Sequence, residues 1–507
     1  MDTHADRHSE TTPLLQENGG DEPDQQPNLR AQAQRLLLLV CVSIVAIDFG
    51  SYLSYAPQIE IFESIICRRL HSSGLDFVYH ANNSTSVCKS DDVQSELALL
   101  VGWNQSFNQL PGILLALPYG LMADRVGRKT VLLLSLIGLL MEEVVIRMIV
   151  WWSDFIPLRV IWLAPLFQIA GGGPQIATSM AYTMISDVFP AERKSSIFFL
   201  LAAVILLGEI LATPISAVLM SYTPWLPSLL GIAFEVIGLA AAALVTETLP
   251  KSSKVEDDER EQGPGQHSVS GDQDGWAAQM SQRWNRLRHS HYDFSLSMNL
   301  FLIIGAFILA SIGTQALQLV IQYASKRFSW SIAEASFLVT IKGIVNLVLL
   351  LVLLPRLSLI LGKHMPTAIK DLIIVQGSAW MLALGTAIMA FATHPGLFIV
   401  GICTFALGWG FYSALRSMAT AIVSPSQTGV LNTTIALSQS MGSMAAGPLL
   451  ALAFRRGIEL GGVWTGLPYM IATVLFVGAS ILVWGMRIPR LVDDAESASL
   501  PSDLEPT

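Results

Sequence analysis

Apolar and polar residues alternate along this chain in long blocks. Apolar runs cover about 36–55, 97–119, 130–150, 157–182, 196–220 and 227–246, and then 297–322, 333–354, 371–393, 396–420, 429–453 and 464–486. Each is close to the ~20 residues that a helix needs to cross a hydrocarbon layer of about 30 Å. None shows the strict period of two expected of a half-buried strand. The pattern therefore predicts an all-α, polytopic membrane fold with twelve transmembrane helices. A long polar stretch falls after the sixth run and divides the helices into two six-helix halves.

The polar blocks set the expected domain limits. Residues 1–33 are acidic and rich in Gln and Pro, which reads as a disordered tail, since such a stretch has too little apolar surface to bury. Residues 34–246 form the first half, 247–296 a charged linker, 297–487 the second half and 488–507 a second tail. Twelve crossings place both tails on one side. Arg125, Arg128, Lys129, Arg193, Lys194, Arg356, Lys363, Lys370, Arg487 and Arg490 share that side, against Arg68, Arg69, Lys89, Lys326, Arg327, Arg455 and Arg456 opposite. The side with more cations is expected to be cytosolic. Composition agrees: of 507 residues, 52 % are hydrophobic and 14 % charged, too few charges for a soluble enzyme of this length. The net charge of −9 argues against a nucleic-acid partner. The sequence shows no Walker loop, CxxC pair or Rossmann fingerprint, so no cofactor, no metal and no enzymatic activity are expected.

Between the second and third runs stands Gly120-Leu121-Met122-Ala123-Asp124-Arg125-Val126-Gly127-Arg128-Lys129. Its glycines allow close approach and unusual dihedrals, and Asp124 can accept from guanidinium groups or from the free N–H groups of a helix start. The pattern G-x-x-x-D-R-x-G-R-K resembles the signature between helices 2 and 3 of the major facilitator superfamily. The resemblance implies a secondary transporter that alternates access around a midplane site, with Gly120, Asp124, Arg125, Gly127, Arg128 and Lys129 acting as a conformational latch. Ile65-Ile66-Cys67-Arg68-Arg69, Cys88 and Val93-Gln94-Ser95-Glu96-Leu97 resemble a group of fungal transporters within the superfamily, many of them in secondary-metabolite gene clusters. An internal echo also suggests two related halves: Gly208-x-x-x-Ala212-x-Pro214 in the fifth run matches Gly442-x-x-x-Ala446-x-Pro448 in the eleventh.

Charges inside apolar runs are costly, about 2.5 to 3.5 kcal/mol each on insertion scales, so they must be paired, protonated or turned toward a cavity. Asp48, Glu142, Glu143, Arg147, Glu209 and Glu235 are the proton-coupling candidates, because desolvation favours the protonated form of a carboxylate. Glu143 and Arg147 can pair along one face. Glu209 is of particular interest, since the eleventh run has Ser443 at the matching place. Lys342 is either a counter-charge for an acidic substrate or a buried partner of a carboxylate. Gln175, Tyr182, Gln315, Trp409 and Tyr412 are expected to line a cavity suited to an amphipathic molecule. Arg159 is a further charge placed within the fourth run.

Cys67 and Cys88 share the first loop on the non-cytosolic side, where a disulfide between them is expected. The same loop carries overlapping acceptor sequons at Asn82 and Asn83. In the first tail, Glu10-Thr11-Thr12-Pro13-Leu14-Leu15 is similar to acidic dileucine sorting signals, so a vacuolar membrane stands beside the plasma membrane as a destination. The whole reads as a monomeric, proton-coupled exporter of a metabolite or toxic compound, working in the bilayer on a small-molecule substrate. A proton-coupled importer, or a transport-dead receptor or scaffold on the same fold, are the alternatives.

Overall fold

The computed structural model describes residues 25–71, 88–189, 191–248, 298–363, 365, 367–422 and 428–486. These form twelve helical rods, and there is no strand among the described residues. The first half comprises α1 (Gln25–His71), α2 (Asp91–Val126), α3 (Arg128–Trp151), α4 (a 3₁₀ stretch Leu158–Ala170 followed by the α-helix Pro174–Val188), α5 (Ala191–Met220) and α6 (Trp225–Ala243). The second comprises α7 (Met298–Thr314, Gln315–Leu319 and Val320–Phe328), α8 (Ile332–Val348, Leu349–Leu353 and Leu354–Gly362) and α9 (Thr367–Ala390). It ends with α10 (Pro395–Leu407, Gly408–Gly410 and Phe411–Ile422), α11 (Thr428–Leu460) and α12 (Gly462–Gly466 and Leu467–Trp484). Nine spans are long and apolar enough to cross a membrane among the described residues. The other three rods are α2, with its row of amides, α3, with five charged residues, and the broken α4.

Two helices depart from the pattern of the sequence. The first run predicts a helix ending near Tyr55, but α1 continues past Pro57 to His71 and carries Cys67. Tertiary packing extends it: Ile59, Phe62, Ile65, Ile66 and Cys67 are buried against Val93, Leu97 and Leu100 of the following helix, so the run of apolar side chains has a core to join. The fourth run predicts one helix over 157–182, but Gly171–Gly173 interrupt it. Gly172 and Gly173 sit at φ +81° and +82°, left-handed backbone that side chains with a Cβ adopt only with strain, and Pro174 then starts the second piece. The start of α8 has a local cause visible in the sequence. Ser331 accepts from the Glu334 N–H at 3.1 Å and its own N–H donates to Glu334 Oε2 at 2.8 Å, a reciprocal cap.

Packing within the membrane uses small residues to bring backbones together. α1 meets α6 at Gly50 and Gly231, where a Cβ on Gly50 would lie 2.5 Å from the Gly231 carbonyl oxygen. The halves meet through two helix pairs, α2 with α11 and α5 with α8, each pairing the second helix of one half with the fifth of the other. A Cβ on Gly102 of α2 would lie 2.7 Å from the Gly447 oxygen of α11, and one on Gly343 of α8 would lie 2.8 Å from Ile210 Cγ1 of α5. The outer faces are apolar and open, with Leu114 70 %, Val474 71 % and Leu359 68 % exposed. A contiguous apolar surface of this kind suits lipid.

Candidate functional site

At mid-depth the halves enclose a cavity of two adjoining lobes, both lined by Ser51, Gln105 and Gln318. The first lobe, ≈ 300 Å³, adds Tyr52, Tyr55, Glu209 and Lys342. The second, ≈ 320 Å³, adds Asp48, Asn108, Glu142, Glu143, Gln168, Glu235 and Gln315. A small hollow of ≈ 80 Å³ beyond Asp48 is bordered by Tyr182. Two hollows of ≈ 580 Å³ lie elsewhere. One is at the end that carries the disulfide, among Arg69, Asp91, Glu96, Arg159 and Arg455, and the other is on the apolar, outward-facing flank between α2 and α4. Of these hollows, the central lobes combine mid-depth position with convergent polar groups, which is the arrangement of a ligand site.

Each charge in the lobes has a distinct setting. Lys342 Nζ lies 2.6 Å from Glu209 Oε1, joining α8 to α5 across the halves, with the two side chains 21 % and 5 % exposed. Arg147 pairs with Glu143 one turn back on α3, and its Nε donates to Ser228 Oγ at 3.0 Å. Glu142 accepts from Gln168 Nε2 and, with the Asn108 amide turned to present its nitrogen, from Asn108 at 2.9 Å. Glu235 is 7 % exposed, and its Oε2 has no hydrogen-bond partner. Asp48 makes no hydrogen bond and no ion pair among the described residues, and borders the small hollow together with Tyr182.

The remaining candidates fall into packing positions or other sites. Gln315 lines the second lobe while donating to Ser443 Oγ at 3.1 Å. Gln175 donates to Gln109 at 2.8 Å. Tyr412 is bonded to Thr314, and Trp409 packs edge-on against it. Arg159 is not in the interior: it is well exposed at the disulfide end, 2.8 Å from Glu96. Cys67 and Cys88 are bonded, with Cα atoms 5.1 Å apart. Asn82, Asn83, the dileucine-like segment and the tail 488–507 lie outside the described residues, as does the linker beyond residue 248.

The turn between α2 and α3 is built as a helix start held by anions. Gly127, at φ +116°, turns the chain from α2 into α3. Glu247, just beyond α6, accepts from the free N–H groups of Arg128 at 3.0 Å and Lys129 at 3.2 Å, the positive end of the α3 dipole. The Arg128 side chain pairs with Asp187 at the end of α4, which also accepts from Thr248 Oγ1 at 3.2 Å. Three chain segments are thus tied at one point. Gly120 is unconstrained, since a Cβ there would meet nothing within 4 Å. Asp187 and Glu247 were not among the sequence-level candidates. Their signal was weak: each is a lone acid just past the end of an apolar run, and which acid meets the turn is decided by the tertiary fold.

At the opposite end the halves are clamped together. Lys89, next to Cys88, pairs with buried Glu63 at 2.7 Å and also reaches Ser325 of α7. Lys326 lies 2.6 Å from Asp91 and donates to the Lys89 carbonyl. Deeper in, at the level of the cavity, Ser106 Oγ donates to the Met444 carbonyl at 2.7 Å, and Tyr55 Oη to Gln318 Oε1 at 3.0 Å.

A helical bundle that spans a membrane, with a two-lobed polar cavity between paired halves, defines a polytopic carrier. The chain belongs to the Major Facilitator Superfamily, whose family model matches residues 38–448, and it is a secondary transporter of small molecules. It is 31 % identical over 497 residues to the MFS efflux pump atnC of Emericella nidulans, covering 96 % of this chain and 94 % of that one. It is 32 % identical over 452 residues to the efflux pump ustT of Aspergillus flavus, covering 87 % and 86 %. Among solved structures, the D-xylose–proton symporter aligns with a TM-score of 0.58 at 14 % identity, over 89 % of this chain and 97 % of that one. The human organic anion transporter MFSD10 (TETRAN) aligns at 0.55 and 16 %, over 89 % and 99 %. These two show the shared fold.

Proposed function

We propose that the protein exports a small amphipathic organic compound in exchange for protons, by rocking its halves about the two-lobed cavity. The observation that carries this reading is the imbalance of charge in the interior. Asp48, Glu142, Glu143, Glu209 and Glu235 stand against Arg147 and Lys342. Unpaired charge at this depth is costly, so an excess of carboxylate is a place where protons are taken up and released. Export is favoured by the relatives named efflux pumps. In this reading residues 34–246 and 297–487 are the moving bodies, joined by 247–296, and the latch end faces the cytosol. The working unit is a monomer in the plasma membrane. The latch holds one state through Arg128, Asp187 and Glu247, and Asp124 and Arg125 belong to the same turn.

The test is retention of labelled candidate compounds by cells with and without the gene, at two external pH values. Expression should lower retention, more so at acidic external pH, and Glu209→Gln and Glu143→Gln should flatten that dependence. Unchanged retention, or the same pH dependence in both variants, would reject proton-coupled export.

A further inference from the structure

We infer that the Cys67–Cys88 disulfide is a positioning element for the closed end: it sets Lys89 and Asp91 against the second half, so that thiols on that side of the membrane loosen the closure. This rests on the rocking of the halves proposed above and names a control on it. Glu63 and Cys67 are one turn apart on α1 and share a face, and residues 89 and 88 are fastened to them in turn. Cys88 is bonded to Cys67, and the Lys89 ammonium lies 2.7 and 2.9 Å from the two oxygens of Glu63. Buried Gln94 of α2 also holds this piece, donating to the Cys88 carbonyl at 3.0 Å and to Glu63.

What is fastened there is the part of the first half that grips the second. An ammonium has three N–H donors. Those of Lys89 are shared between Glu63 and Ser325 Oγ of α7, which itself donates to the Trp330 carbonyl at 2.8 Å. The Lys89 carbonyl accepts from Lys326, whose ammonium is also 2.6 Å from Asp91. Both clamps thus end on residues 89 to 91, directly after Cys88. Asp91 is 66 % exposed, and a pair so open to water is weak unless its partners are held in place. With the disulfide intact these groups stand ready, and closure needs little ordering. With it broken, the piece must be ordered each time the end shuts, and fixing even one residue shifts the equilibrium by about a factor of ten. The chemistry is thiol–disulfide exchange. Cys67 is buried and Cys88 half-buried, so a thiolate attacks the Cys88 sulfur and frees that of Cys67, and a second thiol resolves the mixed disulfide. Two thiols lose two electrons and become one disulfide, and their protons end on Cys67 and Cys88.

Spin labels at Asp92→Cys of α2 and Glu459→Cys of α11, which line the hollow at this end from the two halves, read the closure as a distance. They are attached after the native disulfide has formed, by thioether bonds that thiols leave intact. The carrier is the full-length protein with Cys41→Ser and Cys403→Ser, in nanodiscs. Pulsed dipolar spectroscopy should find mostly the short distance while the disulfide is intact. Dithiothreitol should raise the ratio of parted to closed molecules roughly tenfold, and its removal under air should restore the first distribution. Cys67→Ser with Cys88→Ser should match the reduced protein and ignore dithiothreitol. Glu63→Gln, which keeps the disulfide but strands Lys89, should shift the ratio the same way. A merely structural bond would lower the unfolding midpoint of the reduced protein and leave the distances alone. That result, one short distance in every form, or a bond that resists dithiothreitol in the folded protein would each overturn the inference. Should the substituted proteins fail to fold, the native disulfide under dithiothreitol, with free thiols counted, carries the test alone. No substrate and no pH gradient enter the measurement. A failure of proton-driven export would therefore leave a thiol-dependent distance standing, and distances indifferent to thiols would leave the export untouched.

Discussion

A carboxylate and an ammonium taken out of water each lose several kcal/mol of hydration, and in the first lobe Glu209 and Lys342 recover it mainly from one another. Removing one partner strands the other. Glu209→Gln is expected to lower stability by about 2 kcal/mol, below the 3–5 kcal/mol typical of fully buried pairs because Lys342 still reaches water. Glu209→Gln combined with Lys342→Gln should recover most of that loss. Unfolding midpoints of the four proteins form the cycle, and strictly additive effects would mean that the two groups are not coupled. The sequence shows that each residue must be compensated, because both interrupt apolar runs. It could not show that they compensate each other, since they belong to different halves and meet only when α5 packs on α8. Asp187 and Glu247 were hidden for the same reason, whereas Glu143 and Arg147, one helical turn apart, could be paired by spacing alone.

Among the elements, α4 departs furthest from a simple spanning rod. Its break is seated on α3: Ser135 Oγ donates to the Gly171 carbonyl, and a Cβ on Gly171 would overlap the backbone of Leu134 and Ser135. Gly171→Ala must therefore push α4 off α3 and should lower the unfolding midpoint clearly. Gly120→Ala has open space and an ordinary helical backbone, so it should be neutral or stabilising by up to about 1 kcal/mol through helix propensity. Thermal unfolding of the two variants side by side checks this, and a Gly171→Ala protein as stable as Gly120→Ala would show that the contact is loose. Most rods were legible because hydrophobic length is the main requirement of the bilayer. The glycine triplet was visible as well, but apolar content alone could not tell a break from a packing stripe. The extension of α1 was not legible, since it depends on burial against α2.

At the scale of the whole molecule, the helical bundle and its two halves followed from pattern and motif. The conformation did not, because the same sequence must adopt at least two. In this one the disulfide end is shut by Lys89–Ser325 and Lys326–Asp91, each joining the first half to the second. If the halves rock as bodies, these contacts must part once in every cycle, while the cavity itself needs no rearrangement to stay occupied. Asp91 is 66 % exposed at its side chain, so the pair can be reached from that surface. Asp91→Cys with Lys326→Cys, joined by a short thiol-reactive cross-linker after the native disulfide has formed, should bind a transported compound as well as the uncross-linked variant does. The same protein reconstituted in vesicles should carry none of it across in response to a pH gradient. Undiminished flux through the cross-linked protein would mean that the end holding Cys67 and Cys88 stays closed throughout transport, and that access alternates by some motion other than separation of the two halves there.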